Sequence, residues 1–155
     1  MMKIPFLNQL QRLTGPVTNE VRLAVSGPES NNIEQTIQYL LDELPDLLMA
    51  AVVDVATGKP LASYTTDRDL RPGSVVGFDA AAVRQVQASL LVQGLTEETL
   101  EEILLTLPSQ LHLLRLVPGG HTFICLAVDC LDTNLAIARE VMRGSIRVLA
   151  PFVDK

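Results

Sequence analysis

Gly58-Lys59 is the first place in this chain where residue type and spacing suggest chemistry, because a glycine-lysine pair closes the loops that cradle nucleotide phosphates. The rest of that motif is absent. Val53 stands where the leading glycine belongs, and Pro60 where a Ser or Thr would meet the metal. A hairpin turn accounts for the pair without any phosphate. His112 and His121 are the only histidines, and His112 alternates with Leu114 and Leu116, which suits a core or edge histidine better than a base. Ser89 and Ser109 lack the flanking glycines of a nucleophile elbow. Cys125 and Cys130 have no second pair and no nearby histidine to complete a zinc site, so both are expected as buried free thiols in a reduced compartment. Glu97, Glu98, Glu101 and Glu102 gather at a strand entrance, where a solvated acidic rim is expected, with calcium or partner docking as the rival reading. No catalytic residue, cofactor site or metal site is expected, and an enzyme is not expected.

What remains is a chain of 155 residues that suits one domain able to bury a core. Hydrophobic residues make up 48% and charged residues 19%, below the usual quarter or so for the charged share. That balance excludes disorder and implies more apolar surface than one small monomer needs. The net charge is −6, and the basic residues are scattered. A nucleic-acid binder needs a basic stripe to displace counterions, so neither nucleic acid nor an anionic membrane is expected as a partner. No signal-peptide pattern is read in the first residues, and no window is read as reaching the roughly 18 apolar residues of a membrane span. A cytoplasmic location is the expectation.

Residues 1–28 read as an extension of uncertain structure, with Val21, Leu23 and Val25 alternating as in a short strand. The domain proper, residues 29–155, opens with a helix whose apolar face is Ile33, Ile37, Leu40, Leu41 and Leu44. Asn31 is its expected N-cap and Glu34 the reciprocal carboxylate. An apolar strand ending at Val55, a turn at Gly58 and a strand over residues 61–65 form a hairpin. Ser74 is expected to cap a second helix, from about Val75 to Gln93. That helix is apolar over a wide arc, with Val76, Ala80, Val83 and Leu90 on one side and Phe78, Ala82 and Val86 on a neighbouring one. A single sheet face cannot cover both, so either the helix is wedged inside the domain or a second molecule covers it. Three strands follow as an antiparallel meander: Leu100 to Leu107, Leu111 to Val117 and Thr122 to Asp129. Asp132 or Thr133 is expected to cap the last helix, with Arg139, Arg143, Arg147 and Glu140 as a solvated stripe. The order αββαβββα makes an α/β three-layer sandwich.

Several of these stretches resemble the roadblock family, named for a dynein light chain and including bacterial and archaeal regulators of Ras-like GTPases. The likeness runs from about Ile33 to Phe152. It is carried by the helix end Leu40-Leu41-Asp42-Glu43-Leu44-Pro45 and by the hairpin from Ala51 through Thr57-Gly58-Lys59 to Ala62. The run from Leu113 through Pro118-Gly119-Gly120 to Asp129 and the segment Thr133-Asn134-Leu135-Ala136-Ile137-Ala138-Arg139 complete it. The resemblance implies a five-stranded antiparallel sheet with the second helix on one face and the other two on the opposite face. It also implies a homodimer, formed by pairing the second helix and the third strand into one ten-stranded sheet.

The function expected is a non-catalytic dimeric regulator or adaptor of a small Ras-like GTPase. The alternative is a dimerisation module that joins larger assemblies with no GTPase contact. A small-ligand sensor on a related profilin-like or PAS-like sandwich is a third class, and would need a hollow polar interior. Arg68, Asp69, Arg71, Asp79, Arg84 and Gln87 are the candidate partner-binding residues. Ala80, Ala81, Val83, Ile103 and Leu105 are the candidate dimer interface.

Overall fold

The computed structural model describes residues 21–66 and 70–150. Two strands at its centre explain the rest. β2 (Met49–Asp54) and β6 (Thr122–Asp129) are buried along nearly their whole length, so their residues face protein on both sides. Runs without polar interruption can sit only in a sheet covered on both faces. One face carries Ala50, Val52, Leu113, Ile124, Leu126 and Val128 against α1 (Ser30–Glu43) and α3 (Leu135–Leu149). The other carries Met49, Ala51, Val53, Leu114, Phe123 and Cys125 against α2 (Pro72–Val92). Period-two alternation thus splits one apolar run between two cores.

The sheet is antiparallel and has six strands in the order β1-β3-β2-β6-β5-β4. β3 is Pro60–Thr65, β4 is Glu102–Thr106 and β5 is Gln110–Leu116. The sixth strand, which the five-strand expectation lacked, is β1 (Arg22–Leu23) on the outer edge of β3, with Arg22 opposite Ser63 and Leu23 opposite Ala62. It comes from the segment read as an extension, and Val21 and Val25 pack on the core. The alternation of Val21, Leu23 and Val25 marks this segment as a short strand, and its two paired residues cover an edge that would otherwise be open. Residues 1–20 lie outside the described residues.

Helix starts differ from the sequence expectation by a few residues. α1 begins at Ser30, with Glu29 in the cap position and no side-chain cap, so the Asn31–Glu34 box does not form. Pro72, with its fixed φ, opens α2 instead of Ser74. α3 is capped by Asn134, whose side chain accepts from the Ile137 N–H at 2.9 Å, in place of Asp132 or Thr133.

α2 needs a further correction. By length and composition it is apolar enough to cross a membrane, contrary to the window reading above. Its inner face, Val76, Ala80 and Val83, has no solvent exposure and packs on the sheet, as the core helix of a folded domain does.

The β2–β3 turn shows what Gly58 is for. The Asp54 carboxylate accepts from the Thr57 N–H at 2.9 Å and from its hydroxyl at 2.7 Å. Those bonds hold the Asp54 carboxyl below its ordinary value. Gly58 has φ +69, and a Cβ there would touch the Ala80 methyl at 3.4 Å. The glycine is required by a left-handed turn pressed against α2.

Candidate functional site: the outer face of α2 and the free edge of β4

Seen from its own sheet, α2 buries one side only. Phe78 (79% exposed) and Val86 (37%) stand outward at i and i+8, with exposed Ala82 between them. Beyond its sheet contacts the helix is tied down by polar side chains. The Arg84 guanidinium donates to the Val55 carbonyl at 2.6 Å, and the Gln87 amide donates to the Gly120 carbonyl at 3.0 Å. These bonds pin α2 to the β2–β3 and β5–β6 turns and fix which face remains outside.

β4 is the last strand of the sheet, paired to β5 alone among the described residues. Ile103 lies opposite Leu114 and Leu105 opposite His112, so both point to the α2 side. Ile103 is half-buried there, while Leu105 is 43% exposed. The outward stripe of α2 and an unpaired strand edge therefore flank the same face of the sheet.

The expected site residues divide. Arg68 and Asp69 lie outside the described residues. Arg71 is exposed at the start of α2. Asp79 points inward: it is 6% exposed, and the Cys125 thiol donates to its Oδ2 at 3.4 Å. Burial raises the Asp79 carboxyl above its ordinary value, partly offset by the Cys125 hydrogen bond and by His112. Of the expected interface, Ala80 and Val83 have no exposure and face the protomer's own sheet, so no partner can reach them. Ala81 and Ile103 are half-buried, and Leu105 is exposed on the edge strand. Phe78, Ala82 and Val86 carry the exposed stripe instead. Their i, i+4, i+8 spacing was the signal, since it marks a second face beside the one that Val76, Ala80 and Val83 occupy.

The reactive residue types do not converge. His112 is buried, its Nε2 lies 2.9 Å from the Gln110 amide oxygen, and burial lowers its pKa against the pull of Asp79. Cys125 is fully buried, and burial first, then Asp79, drives its thiol pKa up, so it stays protonated. Cys130 is exposed, contrary to the expectation of two buried thiols. The acidic rim is also only partly solvated. Glu102 binds Arg139 through two oxygens, the shortest bond 2.7 Å, and lies 3.8 Å from Arg115. Arg139 thus pairs with the edge strand while its side chain stays 40% exposed. Among the described residues no group of three His, Cys, Asp or Glu side chains is placed to hold a metal.

At one end of the molecule an open groove of about 990 Å³ runs between the second half of α2, residues 94–101, the turn of residues 118–121 and the last turns of α3.

Solved structures share the fold that carries these features. A Roadblock/LC7 domain from Streptomyces avermitilis is 12% identical, with a TM-score of 0.60 over 78% of this chain and 97% of its own. This chain has the roadblock fold. Myxococcus xanthus MglB matches that fold as well, at TM-score 0.69 and 15% identity over 83% of this chain and 92% of its own. An MglB with a tetrameric arrangement matches at TM-score 0.67 and 18% identity, over 87% of this chain and 97% of its own. No protein-family model matches the sequence, and no curated protein matches it. The roadblock likeness is therefore one of fold, carried by backbone geometry.

Proposed function

We propose that this chain is a non-catalytic, cytoplasmic homodimer that binds a small Ras-like GTPase and modulates its nucleotide cycle. The observation that carries the reading is the pairing of an exposed apolar stripe, Phe78, Ala82 and Val86, with the unpaired edge of β4 on one face of the sheet. An apolar helix face and an open strand edge both favour coverage by a second protein surface. Two copies related by a twofold axis would cover both at once, each stripe against the other and each β4 against its partner. Ala81, Ile103 and Leu105 complete the proposed interface, and Ala80 and Val83 support it from beneath. The GTPase partner is what the roadblock resemblance implies, and the fold shared with MglB supports it.

Arg71, Arg84 and Gln87 remain the proposed partner-facing residues, with Arg68 and Asp69 beside them in sequence. Arg84 is held by the Val55 carbonyl, which suits a residue that shapes the surface better than one inserted into a GTPase site. The test is calorimetric titration of the chain into a Ras-like GTPase from the same genome, loaded with GDP or a nonhydrolysable GTP analogue. Micromolar binding that depends on the nucleotide supports the reading, and Arg84→Ala, which removes a partner-facing side chain and its bond to the Val55 carbonyl, should weaken that binding. Absence of binding in both nucleotide states would leave the alternative, a dimerisation module in a larger assembly. The tetrameric arrangement of one MglB keeps that alternative open.

A further inference from the structure

We propose that the groove at the end of α2 is a docking site for an acidic stretch of polypeptide that carries apolar residues beside its carboxylates. The proposal does not rest on the GTPase reading. In a chain of net charge −6, this one groove gathers Arg84, Arg115, Arg143 and Arg147 against two acidic residues, Glu98 and Glu101. Three of those guanidinium groups have capacity left. Arg147 makes no hydrogen bond or ion pair among the described residues. Arg143 is held only by Glu140, with both side chains more than half exposed. Arg115 stands 3.8 Å from a Glu102 carboxylate that Arg139 already occupies. A guanidinium with free N–H groups matches a carboxylate through two parallel bonds, a geometry an ammonium lacks.

The groove walls add an apolar requirement. Leu91 is 72% exposed and Leu95 is 42% exposed, and both line it together with Leu116, Val117 and Ile146. A free inorganic anion would leave those leucines wet. A polypeptide that alternates acidic and apolar side chains would cover them while its carboxylates meet the arginines, as segments laid in a groove commonly do. Its volume is near the upper end of small-ligand cavities, roughly 300–1,000 Å³. It is open to solvent, so a chain can enter it. Nucleic acid fits less well, because a chain of net negative charge repels a phosphate backbone beyond the groove.

The test is selection of random twelve-residue peptides displayed on phage against the full-length protein, with binding of the enriched synthetic peptides measured by calorimetry. The comparison protein is Arg143→Glu/Arg147→Glu, and Arg147→Gln is the milder variant if the double exchange perturbs the circular dichroism spectrum. Enriched peptides should combine Asp or Glu with Leu, Ile or Phe. They should bind the double variant about tenfold or more weakly, and Arg147→Gln by a smaller factor. Replacing their acidic residues with amides should cause a similar loss, and added salt should weaken binding. Peptides that bind wild type and variant equally, or a selection that enriches none, would overturn the proposal. Inorganic phosphate binding as tightly as the peptides would overturn it too, by making the groove a site for free anions.

Discussion

Asp79 sits where an ionised group is costly, beneath α2 with the Cys125 thiol as its hydrogen-bond donor. Burial is the largest influence on it and raises its carboxyl above the ordinary value. An acid whose folded value exceeds its unfolded one keeps its proton longer in the native state. Stability is therefore lost as pH rises from the ordinary carboxylate value through the raised one. Asp79→Asn keeps an acceptor for Cys125 and removes that loss. Thermal unfolding should show the variant matching wild type below about pH 4 and exceeding it in stability at pH 7. Equal stability at both pH values would mean that Asp79 is well solvated. His112 contributes the opposite slope, since burial lowers its pKa and stability falls as pH drops through the ordinary imidazole range. Sequence alone offered Asp79 as a surface charge because the period of an almost wholly apolar helix does not say which side a lone carboxylate takes. The inward orientation becomes visible only once Val76, Ala80 and Val83 are known to be the buried side.

Among the elements, the strands and the three helices were legible from alternation and from Gly and Pro punctuation. The caps were not, because Asn31, Ser74 and Thr133 each compete with a neighbour within one turn and local sterics decide between them. Pro72 and Asn134 won where φ and a side-chain oxygen were already in place. Helix packing was also illegible. Gly144 of α3 lies beneath the Tyr39 ring of α1, and a Cβ there would overlap the ring and its hydroxyl. Gly144→Ala should cost about 1–3 kcal/mol in urea unfolding. Tyr39→Ala in the same chain should remove much of that increment, a coupling that a mere loss of helix flexibility would not produce. On α2 the two faces should respond differently to one charge. Val83→Asp places it among Met49, Val53 and Phe123 and should unfold the domain. Val86→Glu, on the outward stripe, should leave the circular dichroism spectrum unchanged.

For the molecule as a whole, the layered fold followed from the sequence because each apolar run had to be covered on two sides. The proposed interface was half legible. Excess apolar character in the second helix announced a second surface, and Ile103 and Leu105 lie beside it. Ala80 and Val83 were placed in that surface because a run of three alanines and a valine carries no mark of which members the sheet will claim. The central claim is that the outward stripe of α2 and the edge of β4 join two copies. Static light scattering at micromolar concentration, on wild type and on Ala82→Glu, tests it most directly. The account predicts twice 16.9 kDa for wild type and 16.9 kDa for a folded Ala82→Glu chain. A wild-type protein that scatters as a single 16.9 kDa chain would contradict it.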